Sequence, residues 1–111
     1  MHIQQSEKYV GDNWWNWSVW IEGASEEIEA VTSVEWRLHP TFANPIRHVT
    51  DKTTNFRLDT SGWGVFPIHA SVYLKSGEIE KLQHYLELHY PNDRSSTQSE
   101  WGTGSAPGKG T

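Results

Sequence analysis

Apolar side chains in this chain recur at every second position, and a helical spacing of three to four is nowhere sustained. From Trp15, the residues Trp15, Trp17, Val19 and Ile21 alternate with Asn16, Ser18, Trp20 and Glu22, the signature of a half-buried strand. The span Ile28 to His39 alternates again, with Ile28, Ala30, Val34, Trp36 and Leu38 inward and Glu29, Ser33, Glu35, Arg37 and His39 outward. Phe66, Ile68, Ala70, Val72 and Leu74 form a third apolar row, and Leu82, Leu86 and Leu88 a fourth. A shorter strand is expected over Asn55–Asp59, and Tyr9-Val10 begins the first strand. Turns are marked at Glu22-Gly23-Ala24-Ser25, Asn44-Pro45, Ser61-Gly62 and Lys75-Ser76-Gly77-Glu78, by residues that favour tight backbone reversals. Many short strands without a helical period predict an all-β fold, a two-sheet antiparallel sandwich of about seven or eight strands. Its core is expected to hold Val19, Ile21, Trp36, Leu38, Phe66, Ile68, Val72, Leu86 and Leu88.

At 111 residues the chain has length for one domain and not two. Residues 91–111 hold four Gly, two Pro, four Ser and three Thr, with Trp101 as the one large apolar side chain. Such a stretch cannot bury enough surface to offset chain entropy. Residues 1–90 are therefore expected to fold, and 91–111 to be a flexible tail or linker toward another domain of a larger protein. The formal net charge of -5 argues against nucleic acid as a partner, because phosphate neutralisation needs a basic stripe. With no cysteine, disulfides, Cys-ligated zinc and thiol catalysis drop out together. His84 and His89 lie five apart on a strand and so face opposite ways, and His39, His48 and His69 lack ligand spacing. No metal or other cofactor is expected. Nothing resembles a nucleophile elbow, so the domain is read as a non-enzyme. No apolar run approaches membrane-spanning length, and the expected location is cytoplasmic.

Tryptophan is over-represented, with seven residues in the chain. Two of them do not suit a plain sandwich. Trp20 falls on the polar side of its strand, and Trp63 sits between Gly62 and Gly64 in a loop. Exposed aromatics in loops are candidate binding groups. The competing reading has Trp20 turned inward through a bulge and Trp63 folded over a sheet end.

Two further stretches carry a family resemblance. Leu38-His39-Pro40-Thr41-Phe42-Ala43-Asn44-Pro45-Ile46-Arg47 is followed some twenty residues later by Gly62-Trp63-Gly64-Val65-Phe66. This pair resembles the YEATS domain family of acyl-lysine readers, as does Trp17-Ser18-Val19-Trp20-Ile21 near the N-terminus. The resemblance covers residues 14–90 and implies an immunoglobulin-like β-sandwich. It also implies an aromatic slot at one end, with Phe42 and Trp63 as walls and Trp20 as a third ring. Thr41 matches a hydroxyl that bonds the acyl amide, and the Trp63 backbone N–H would bond the acyl carbonyl. His39 would orient Thr41, while Gly62 and Gly64 allow close backbone approach. Where eukaryotic members carry a Pro-Pro-aromatic turn, this chain has Lys52-Thr53-Thr54-Asn55-Phe56, and it is similar to the compact prokaryotic branch.

The resemblance implies a binding module for an acylated lysine, acetyl or crotonyl, or a similar planar amide on a bacterial protein or peptide. A non-catalytic scaffold of the same fold, packing its aromatics against another domain of the parent protein, is the alternative. A carbohydrate-binding sandwich is a third reading, weakened because the two motifs already account for the rings. The oligomeric state is not legible.

Overall fold

Among the described residues, period-two alternation yields seven strands in two antiparallel sheets. The computed structural model describes residues 1–91; the expected tail beyond Pro91 lies outside the described residues. The strands are β1 (His2–Gly11), β2 (Trp14–Glu22), β3 (Val31–Arg37), β4 (Ile46–Val49), β5 (Leu58–Gly62), β6 (Pro67–Leu74) and β7 (Ile79–Tyr85). One sheet runs β1-β2-β5 and the other β4-β3-β6-β7. Apolar residues from both inner faces meet in one core, and all nine expected core residues are buried. Trp15, Trp17 and Trp36 are buried with them.

Several local expectations need correction. Ile28 does not open a strand: Ser25–Glu29 forms a short helix, α1, and β3 starts at Val31. The Glu27 carboxylate accepts the Ala24 N–H at 3.0 Å and so caps this turn, which the acidic run favours. Ile28 still reaches the core. The strand expected over Asn55–Asp59 begins only at Leu58. Asn55 and Phe56 are left-handed, with φ of 57° and 59°. A left-handed backbone costs roughly 1–2 kcal/mol per residue for side chains other than glycine. Local bonds offset it. Asn55 Nδ2 donates to the Ile21 carbonyl at 2.9 Å, and Ile21 N–H donates to the Asn55 carbonyl at 3.0 Å. The bend turns the Phe56 ring fully into the core, and the Phe56 carbonyl accepts Trp36 Nε1–H at 3.0 Å. β1 is far longer than Tyr9-Val10 suggested, because Ile3 is its one buried residue and its apolar alternation is weak.

The free edge of β1 is laced by side chains to the end of β7 and the chain following it. Gln5 Oε1 accepts from His84 Nε2 at 2.7 Å and from Glu87 N–H at 2.9 Å, while Gln5 Nε2 donates to the Glu87 carbonyl at 2.8 Å. Glu7 accepts from His89 Nδ1 at 2.9 Å. Burial holds the His84 imidazole below the 6.5 usual for histidine, with nearby Glu87 opposing that shift. The unfolded chain therefore takes up a proton at His84 at higher pH than the fold does. Its contribution is full above pH 6.5 and lost as pH falls below that value. Denaturant melts at about pH 7.5 and about pH 5.5 should show a smaller loss on acidification for His84→Gln than for the wild type. An equal loss in both would contradict this.

Candidate functional site

The loop between β3 and β4 is shaped by bonds that use its motif residues one by one. Leu38 N–H donates to the Pro45 carbonyl at 2.7 Å and closes the loop's base. Phe42 N–H donates to the His39 carbonyl at 3.0 Å, making a tight turn at Pro40-Thr41. Asn44 takes a left-handed φ of 54°. From β4, Arg47 reaches back to donate from Nε to the Asn44 carbonyl at 2.6 Å and from a terminal nitrogen to the Ala43 carbonyl at 3.0 Å. That clamp presents Thr41 and Phe42 at the tip. Phe42 is half-buried, seated on the core rings of Phe66 (centroids 5.5 Å apart) and Trp17 (6.3 Å).

β2 begins and β5 ends at this same end of the sandwich, because Trp15 pairs with Gly62. Residues directly opposite in an antiparallel pair share a face. Gly62 therefore leaves room beside the fully buried Trp15 indole, and Trp63 follows as the chain leaves the sheet. The result is a cleft of about 330 Å³ lined by Trp14, Thr41, Phe42, Ser61, Gly62 and Trp63. None of these side chains is ionisable, so the cleft offers no counter-charge to an ammonium group. It suits a flat, uncharged group with a hydrogen-bonding edge.

The polarity of Thr41 follows from its neighbour. Its backbone N–H, which can only donate, lies 3.2 Å from His39 Nδ1. Nδ1 is therefore the acceptor, and the ring proton sits on Nε2. The Thr41 hydroxyl, 2.9 Å from the same Nδ1, must then donate to it. Its oxygen lone pairs are left to accept an N–H from within the cleft.

Residues 15–87 match the family model of the prokaryotic YEATS domain. The chain belongs to that family. It is 36% identical over 84 residues to transcription initiation factor TFIID subunit 14b of Arabidopsis thaliana, covering 71% of this chain and 30% of that protein. It is 32% identical over 91 residues to the AF-9 homolog of Schizosaccharomyces pombe, covering 78% of this chain and 41% of the relative. The chain thus spans well under half the length of these curated relatives. A solved structure described as the Yaf9 YEATS domain recognizing an H3K122suc peptide superposes with a TM-score of 0.61 at 25% identity, over 78% of this chain and 69% of the other.

Within this YEATS domain the structure brings Thr41, Phe42, Gly62 and Trp63 into one cleft, with His39 bonded to Thr41. Gly64 is buried next to Trp63 in sequence and is not part of the lining. Trp20 is not brought there. It lies five residues along β2 from Trp15, about 16 Å at the rise of a strand, and faces outward. Arg57 covers its ring at 5.6 Å, and its Nε1–H donates to Glu22 at 3.2 Å. Cation–π cover, not a ligand slot, accounts for an indole on that polar face. The aromatic that stands in the cleft is Trp14, 41% exposed at the first position of β2. Its one sequence signal is a large ring out of phase with Trp15 and Trp17, directly after a turn.

A larger cleft, about 480 Å³, lies over the outer face of β1-β2-β5 and shares Ser61 with the slot. Arg57 and Asp59 are paired with each other within it: Arg57 donates to Asp59 at 2.7 Å and to Ser18 Oγ at 3.1 Å, and Ser18 donates to Asp59. The Ser18 hydroxyl, and then Arg57, hold the Asp59 carboxyl below its usual range. The one aromatic residue of its lining, Trp17, is buried in the core.

Proposed function

We propose that this YEATS domain is a non-catalytic binding module that holds an acylated lysine, acetyl or crotonyl, or a similar planar amide, between Phe42 and Trp63. The observation that carries this reading is an aromatic cleft without an ionisable side chain, in which the Thr41 hydroxyl has its lone pairs preset to accept. Acylation removes the lysine charge and leaves a flat amide on an apolar stem. Ring stacking then contributes roughly 0.5–1.5 kcal/mol per favourable pair beyond area burial. Thr41 accepts the acyl-amide N–H, and the Trp63 backbone N–H donates to the acyl carbonyl, with Gly62 giving the backbone room. Trp14 closes the third side in place of Trp20. An unmodified lysine would have to shed its hydration with no carboxylate to receive it. Similarity to a YEATS domain described as recognizing an H3K122suc peptide supports an acylated protein or peptide as partner. Cytoplasmic acylated protein in a bacterium is the source we favour.

A contact set this small gives affinity on the order of micromolar or weaker. Calorimetric titration with a crotonyl-lysine peptide should show Thr41→Val binding about 1–3 kcal/mol more weakly than wild type, because the buried amide N–H loses its acceptor. Unchanged affinity in Thr41→Val would remove the hydroxyl from the site. Silence of every acyl peptide would favour a scaffold role for the same fold.

A further inference from the structure

The outer face of the four-stranded sheet gathers positive charge on a chain whose formal net charge is -5. Register sets Arg37 on β3 opposite His69 on β6, and Ser71 on β6 opposite Lys81 on β7. Directly opposed residues have Cβ atoms about 4.5–5.5 Å apart and diagonal ones about 7–8 Å, within reach of one small anion for side chains of this length. All four line one surface cleft of about 470 Å³. Three other cationic side chains have partners within the fold: Arg47 on loop carbonyls, Arg57 on Asp59 and Lys52 on Glu29. The side chains of Arg37, His69 and Lys81 make no hydrogen bond or ion pair among the described residues. Glu35, the one carboxylate among the strand residues of this face, is taken by the Tyr73 hydroxyl at 2.8 Å and flanked by His48 at 3.9 Å.

We propose that Arg37, His69, Ser71 and Lys81 bind a phosphomonoester carried on a protein partner. A guanidinium fork, a point-charge ammonium, an imidazole and a hydroxyl match the several oxygens and near-double charge of a phosphoryl group. A carboxylate would be satisfied by the arginine alone. The surroundings point to a protein as carrier. Ile46, Ile79 and Tyr85 are 44%, 50% and 41% exposed, and all three lie on this face around the cleft. Exposed aliphatic and tyrosine side chains beside an arginine are the composition of a protein interface centre. The cleft shares no residue with the Phe42–Trp63 slot, so this site stands apart from acyl-lysine binding.

The test is an amide-shift titration of the full chain with a phosphoserine peptide flanked by leucines, at fixed ionic strength, beside its unphosphorylated and aspartate versions. Saturable shifts should centre on Arg37, His69, Ser71 and Lys81, with the aspartate peptide weaker by about tenfold or more. Arg37→Gln and Lys81→Gln, both at exposed side chains, should each weaken binding by about tenfold, and Trp63→Ala should leave it unchanged. Shifts that fail to saturate, that match those of the aspartate or unphosphorylated peptide, or that persist in Arg37→Gln would overturn the proposal.

Discussion

Trp36→Ala should cost about 3–5 kcal/mol of folding stability, the range for truncating a fully buried aromatic. Trp36 is completely buried at the centre of β3, between β4 and β6. Its indole N–H also reaches the Phe56 carbonyl at 3.0 Å, tying the four-stranded sheet to the bend that leads into β5. Truncation leaves a cavity and strands that carbonyl in the core, where an unmet acceptor costs about 1–3 kcal/mol. Domains of this size hold roughly 5–15 kcal/mol in total, so the variant should be at the margin of folding. Urea denaturation checks it. A loss below about 1 kcal/mol, typical of a surface position, would contradict the placement of Trp36.

Trp63→Ala should do the opposite, abolishing acyl-peptide binding while the melting curve hardly moves. The ring lies past the end of β5 and outside the buried core cluster. Its removal should change stability by no more than about 0.5 kcal/mol. Binding loses one wall of the slot and the stacking that a flat amide rewards. Calorimetry with a crotonyl-lysine peptide and a thermal melt on the same sample separate the two effects. Should Trp63→Ala unfold the domain, the indole is a structural support and the slot reading loses its main wall.

Those two tryptophans show which parts of the molecule were legible in the chain. Where one sheet face is buried and the other wet, alternation writes itself into the sequence, and β2, β3 and β6 were readable from it. β1 escaped because an edge strand with Ile3 as its one buried residue has little to alternate. The left-handed pair Asn55-Phe56 was illegible for a different reason. Its conformation is held by bonds to Ile21 and Trp36, which are distant in sequence. In the site, the two motifs placed Thr41, Phe42, Gly62 and Trp63 together, since loop residues bonded to near neighbours carry their geometry locally. Trp20 and Trp14 were exchanged because both lie out of phase on β2, and only the register with β5 tells which end meets the loop. Arg57, which covers Trp20, comes from another strand's approach and has no signature in the β2 pattern.

Under the proposed function the slot distinguishes a neutral planar amide from a charged amine. Isothermal titration of the wild-type chain with one peptide in two forms, crotonyl-lysine and free lysine at the same position, tests it most directly. Single-site binding of the crotonyl form at micromolar affinity or weaker is expected, with no measurable heat from the free-lysine form. Equal binding of the two forms, or binding of the free-lysine form alone, would contradict it.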